Sequence, residues 1–137
     1  MNNPYDNYKQ QSVMTMTRGE MLVKLYDEVI RQLNSACRSI QEKDIAATNQ
    51  SLQKCQMILN YLDNTLDKKY EVSASLSSLY DFFIRQIVSA NMRKEASLLV
   101  EILPMITELR DTFVQAEKLS RMGQTRPATG NMVSAVG

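Results

Sequence analysis

Two short segments of this chain place reactive side chains in the same arrangement. Leu25-Tyr26-Asp27 and Leu79-Tyr80-Asp81 each carry an arginine four residues beyond the aspartate, Arg31 and Arg85. Side chains of these types at this spacing can form ion pairs and present phenolic hydroxyls. On a helix, Asp27–Arg31 and Asp81–Arg85 are i,i+4 neighbours, each contributing about 0.3–0.5 kcal/mol. A tyrosine one position earlier can pack its ring inward while the hydroxyl reaches solvent or a partner's carbonyl. Pinning the ends of a bundle and recognising a partner are both open to such a pair.

Bond-making chemistry has little to draw on. Histidine is absent, which removes the commonest general base and metal ligand and the Glu-x-x-His pairs of di-iron bundles. No Gly-rich phosphate loop, Gly-x-Ser-x-Gly elbow or Cys-x-x-Cys pair is written anywhere. Cys37 and Cys55 fall inside helical patterns and read as two buried thiols of a reducing compartment. The expectation is a protein that is not an enzyme and uses no cofactor or metal.

The composition narrows the partners. Sixteen basic and fifteen acidic residues leave a net charge of +1, without the basic excess that nucleic-acid binding requires. No apolar run approaches the ~18 residues of a membrane span, and no charged-then-apolar leader opens the chain, so a cytoplasmic protein is expected. Its 137 residues suffice for one domain with a continuous core.

Helical periodicity accounts for most of that length. Thr17-Arg18-Gly19-Glu20 reads as a capping box opening a first helix that ends near Glu42, with Leu22, Leu25, Val29, Leu33, Ala36 and Ile40 on one face. Asp44 caps a second helix, whose stripe is Leu52, Cys55, Leu59, Leu62 and Leu66, with Lys68 and Lys69 at its negative end. Ser73 or Ser75 is expected to cap a third helix carrying Leu76, Leu79, Phe83, Ile87 and Ala90. A fourth is expected to begin near Lys94 and to kink at Pro104.

Four helices joined by short loops predict an all-α, antiparallel up-down four-helix bundle over residues 17–122. Residues 1–16 hold no lasting period and form an irregular N-terminal segment; residues 123–137 read as a flexible tail. In that topology helices one and three are diagonal, so the repeated segments LYDEVIRQLNSA and LYDFFIRQIVSA occupy equivalent places in two helical hairpins. LNYLDNTL at 59–66 and ITELRDTF at 106–113 extend the likeness to the second members, consistent with duplication or with shared packing demands.

The third helix is greasier than a bundle needs. At about 100° per residue its apolar positions, with Phe82, Ile84 and Val88 included, spread over roughly 240°, against about 100–140° for a helix buried along one stripe. On the second helix, Met57, Ile58 and Tyr61 flank the leucine stripe. These surpluses predict an apolar groove between helices two and three that accepts an amphipathic helix, its nine-methionine chain suited to varied shapes. A homodimer face, or a lid formed by the chain's own first residues, would satisfy the same pattern.

Taken in order, Asn3-Pro4-Tyr5-x-x-Tyr8, Val13-x-Thr15, Leu25-Tyr26-Asp27, Leu66-Asp67, Leu79-Tyr80-Asp81, Ala90-Asn91 and Leu109-Arg110-Asp111 resemble the flagellar export chaperone family FliS. The likeness runs from Asn3 to about Phe113. It implies an antiparallel four-helix bundle that binds the C-terminal segment of newly made flagellin, prevents its premature polymerisation and presents it to the flagellar type III export gate. It further implies that Tyr5, Tyr8 and Val13 belong to a displaceable flap over the binding surface. Tyr26, Asp27, Tyr80, Asp81 and Asn91 match the family's repeated features and are carried as partner-binding candidates with Met57, Ile58, Tyr61, Phe82 and Val88. Departures include Glu28, where Gly or Ala commonly follows Leu-Tyr-Asp, and Tyr70-Glu71-Val72, where a Gly pair is common. The rival reading is a self-associating structural or adaptor bundle, with a possible homodimer when empty.

Overall fold

The computed structural model describes residues 16–123, and the candidates Tyr5, Tyr8 and Val13 lie outside them. Four helices follow one another: α1, Arg18–Gln41; α2, Ile45–Asn64; α3, Glu71–Arg93; α4, Ser97–Arg121. Each packs on its neighbours in sequence, and α1 closes the ring against α4. Cross-helix contacts fix the directions. Ser39 meets Thr48 at 2.7 Å and the Cys55 thiol points at the Val29 carbonyl at 3.7 Å, so α1 and α2 are antiparallel. Gln86 donates to Glu101 across α3–α4, and Thr17 donates to Glu117 across α1–α4. The expected up-down four-helix bundle is the observed one.

Helix starts follow local chemistry. The Thr17 hydroxyl accepts from the Glu20 amide at 3.1 Å, and Asp44 accepts from the Ala47 amide at 3.1 Å, as the capping residues predict. Thr17 also donates to the buried carboxylate of Glu117, so one side chain caps α1 and ties it to the last turns of α4. Gly19 makes room for this tie: a β-carbon there would collide with the Glu117 carboxylate.

Three expected boundaries move. α2 ends at Asn64, and Leu66 is buried beyond the helix while Lys69 turns to Asp67 at 3.7 Å. α3 starts at Glu71 with no side-chain cap, because Ser73 spends its hydroxyl on the Asp67 carbonyl at 2.6 Å, fastening the loop instead. α3 also runs on to Arg93, so α4 begins three residues later than expected, at Ser97. α4 continues through Pro104, whose ring is exposed on the outer side.

The ends of α1 and α3 repeat each other. Lys43 (φ 61°) and Lys94 (φ 53°) both adopt the left-handed conformation. The Asp44 amide reaches back to the Ser39 carbonyl at 2.9 Å, and the Glu95 amide to the Ala90 carbonyl at 3.0 Å, the long bond of a Schellman cap. Lysine is a costly choice where glycine is free of strain. At Lys94 the cost is offset, since its ammonium donates to Asn49 Oδ1, the Asn91 carbonyl and Asn91 Oδ1 at 2.6–2.8 Å.

At the centre, Tyr26 and Tyr80 are both fully buried and their hydroxyls hydrogen-bond to each other. Tyr26 also stacks on Phe113 with 5.3 Å between ring centroids. The two members of the repeated phrase therefore meet across the bundle's diagonal. Burial pushes the Tyr80 hydroxyl up to about 12 and raises Tyr26 further in the same direction.

Two predictions follow from these contacts. Tyr26→Phe should lower stability in urea unfolding by about 1–3 kcal/mol, because it strands the Tyr80 hydroxyl, and the Tyr26→Phe/Tyr80→Phe double variant should cost less than the sum of the singles. Raised tyrosine pKa values make the folded state resist ionisation, so their contribution is complete below the ordinary 10.0 and lost as pH climbs through about 12. The double variant should therefore lose less stability over that window, read from thermal melts. At the helix ends, Lys43→Gly should stabilise by about 0.5–1 kcal/mol, whereas Lys94→Gly should not, because it forfeits three hydrogen bonds.

Candidate functional site

The ring of helices has four outer seams, and the placement of the exposed apolar residues among them decides where a partner can dock. On α3, with about 100° per residue, Phe82 lies roughly 160° from Tyr80 on the side of Gln86, and Val88 roughly 80° to the other side. Gln86 donates to Glu101 of α4 at 3.1 Å, so Phe82 belongs to the α4 flank of α3. Val88, exposed, and Ile84, half-buried, belong to the α2 flank.

The same reading orients α2. Lys54 pairs with Glu28 of α1 at 3.0 Å, which fixes the α1-facing flank. Tyr61, seven residues on, shares that flank; Met57 points away from the core; Ile58 is buried toward α1. The flank of α2 that meets α3 carries Gln56, Asn60 and Asp63. The groove expected between α2 and α3 is thus polar along its α2 wall, and Met57, Tyr61, Phe82 and Val88 do not line one surface. Counting apolar residues per helix detects the surplus but assigns it to no seam.

The apolar opening lies between α3 and α4, the least extensively packed neighbours. A cleft of about 250 Å³ is lined by Leu79, Phe83, Met105 and Leu109, with Glu108 and Thr112 at its edge. Phe82 leans on Phe83 at 6.0 Å between centroids and packs against the core beside it. The residues around this mouth, Glu101 and Glu108, are acidic. Met105 and Leu109 were missed as site residues; their signal was present as apolar positions on the flank of the fourth helix's buried stripe.

Other cavities have a different character. A larger cleft of about 490 Å³ lies at the α2–α3 corner, lined by Asp63, Lys68, Lys69, Tyr70 and Glu71 among others, mixed in charge and with Leu66 as its apolar contact. Lys69 sits 5.2 Å from the Tyr70 ring centroid. At the opposite end, Ile40, Ile45, Thr48 and Lys94 border a cavity of about 360 Å³. Among the described residues, no group of three or more Cys, Asp or Glu could hold a metal ion. None of the described helices is long and apolar enough to cross a membrane.

The remaining candidates resolve individually. Tyr26 and Tyr80 are core residues, a correction to their reading as partner contacts, because each hydroxyl is sealed in and consumed by the other. Asn91 holds Lys94 through both its carbonyl and its side chain. Asp81 pairs with Arg85 at 3.1 Å as expected. Asp27 does not pair with Arg31, which turns instead to Glu28 through two bonds of 2.6 and 3.0 Å. Asp27 instead faces Arg110 of α4 at 3.6 Å; the Arg110 Nε is buried without a hydrogen-bond partner, 3.3 Å from Asp111. Cys55 is buried and Cys37 only half-buried, both as free thiols. Burial lifts the Cys55 thiol to about 12, which leaves it inert as a nucleophile.

Asn91→Ala should therefore cost about 1–2 kcal/mol in chemical unfolding, through the loosened Lys94 ammonium, and should leave partner affinity unchanged.

Comparison with known proteins agrees with this architecture. The family model for flagellar protein FliS matches residues 1–120. The flagellar secretion chaperone FliS of Bacillus subtilis (strain 168) is 35% identical over 124 residues, covering 88% of this chain and 93% of that protein. The flagellar secretion chaperones FliS of Salmonella typhimurium (strain LT2) and Escherichia coli (strain K12) are 24% identical over 123 residues and 26% over 110. They cover 85% and 78% of this chain. The chain belongs to the FliS family.

Proposed function

We propose that this member of the FliS family is a chaperone of flagellar secretion. It holds the C-terminal helical segment of flagellin in the cytoplasm, keeps it from polymerising prematurely and delivers it to the flagellar type III export gate. The observation that carries the reading is the cleft between α3 and α4, where Leu79, Phe83, Met105 and Leu109 leave an apolar slot open along two antiparallel helices. Such a slot accepts the apolar face of an amphipathic helix, with anchors at i, i+3 or i+4, and i+7. Methionine and leucine walls repack around different side chains at small cost. The names of the relatives support the chaperone role.

Magnitudes suit a carrier that must release its client. Burying ~600–800 Å² of apolar surface at ~25 cal/mol/Å² yields about 15–20 kcal/mol gross. Ordering a flexible client and losing rigid-body freedom remove most of this, leaving micromolar to nanomolar binding. Residues 1–16, with Tyr5, Tyr8 and Val13, are assigned here to a displaceable flap, supported by the resemblance.

Calorimetric titration with a flagellin C-terminal peptide tests the reading. Met105→Asp should raise Kd by at least ~tenfold while the thermal melt moves by only a few degrees, and Met57→Asp should bind like the unaltered chain. A folded Met105→Asp protein with undiminished affinity would remove the cleft from the account. Deleting residues 1–15 should leave the bundle folded and change client affinity; a deletion that unfolds the protein would show that segment to be structural.

A further inference from the structure

The cleft between α3 and α4 has an electrostatic character that its apolar lining does not convey. Glu101 and Glu108 stand exposed on α4 at its mouth, seven residues and so about 10.5 Å apart along one edge. Glu101 accepts from Gln86 of α3 at 3.1 Å, a bond that draws its carboxylate over the seam. Glu108 borders the slot itself, one turn from both Met105 and Thr112.

The cations on the two walls are engaged elsewhere. α3 carries only Arg85 and Arg93; the first pairs with Asp81 at 3.1 Å and the second lies 4.0 Å from Glu95. Lys94, just past α3, is bonded to Asn49 of α2 and to Asn91. On α4 no lysine or arginine precedes Arg110, which turns to Asp27 of α1 and to Asp111. With both signs counted, the described residues leave Glu101 and Glu108 at the mouth without a cationic partner.

With this cleft read as the client site, we propose that Glu101 and Glu108 set its specificity, selecting a client helix whose apolar stripe is flanked by basic side chains seven residues apart. A helix laid along the seam stays in phase with α4 over two turns, so cations at i and i+7 meet both carboxylates together. Each exposed pair alters affinity only about two- to fivefold. Changing both client positions from lysine to glutamate replaces two attractions with two repulsions, which together reach about tenfold or more. Apolar anchors in the slot hold the helix, and the carboxylates at its mouth decide which helix is held. The net charge of the chain, +1, would by itself favour the opposite choice.

The probes are two fluorescein-labelled synthetic helices of about 20 residues, with leucines at i, i+3, i+4 and i+7 and glutamine and alanine elsewhere. One carries two lysines seven residues apart beside the stripe; its twin carries glutamates there. Titrated into the full chain at low ionic strength, the lysine helix should bind at least ~tenfold more tightly and should displace the flagellin peptide. The difference should vanish in ~1 M salt, where the Debye length falls to about 3 Å. Glu101→Gln/Glu108→Gln should erase the preference and Glu101→Lys/Glu108→Lys should invert it, with thermal melts unchanged. Equal binding of the two helices, or failure of the lysine helix to displace the peptide, would overturn the proposal. Met105→Asp separates it from the reading it rests on. If that variant weakens both helices while Glu101→Gln/Glu108→Gln keeps the preference, the cleft stays the client site and the specificity proposal falls. If Met105→Asp weakens neither helix, both fall. A dimer in light scattering that Met105→Asp dissociates assigns the mouth to a second copy, with the same consequence.

Discussion

The bundle depends on one polar contact at the middle of its core, the hydrogen bond between the Tyr26 and Tyr80 hydroxyls. A phenol taken out of water without a partner costs more than most packing contacts return. Here the two phenols, one from each diagonal helix, satisfy each other. The contact forms only when α1 and α3 stand at the same level and present the same face inward. A slip of one residue would turn a tyrosine by about 100° and strand its partner. The repeated phrase Leu-Tyr-Asp is thus a register mark written on both helices, and the stacking of Tyr26 on Phe113 extends it to α4.

The ends of the helices carry the same logic outward. Thr17 caps α1 and binds Glu117; Lys94 terminates α3 and reaches back to Asn49 at the start of α2. Each tie satisfies a helix terminus and a neighbouring element with one side chain. Ser39 and Thr48 do the same across the α1–α2 corner. With the ends and centre held by directional bonds, the seams between helices can differ in closeness without loss of register. That freedom lets the α3–α4 seam stay partly open.

The outer surface then differs from seam to seam. The α3–α4 mouth carries Glu101 and Glu108 around an apolar slot, whereas on the α1–α2 face exposed methionines and a tyrosine stand among charges of both signs. Near neutrality of the whole chain, +1 over 137 residues, says nothing of these local differences. A net charge reports solubility and long-range attraction, not which face meets which partner. Glu28 joins Arg31 and Lys54 across the α1–α2 seam.

Local rules written in the sequence determined the helix count, the caps at Thr17 and Asp44, the core stripes and the absence of histidine chemistry, since each depends on residues within a few positions of one another. The order of motifs from Leu25 to Asp111 was enough to point to the family. Tertiary structure alone decided that Tyr26 and Tyr80 bond to each other, that Asp27 faces Arg110, and that Phe82 turns toward α4 while Val88 turns toward α2. A helical period says which residues share a stripe but not which neighbour the flank of that stripe will meet. That assignment depends on the handedness of the ring and the rotation of each helix within it, which are set by packing across the whole core.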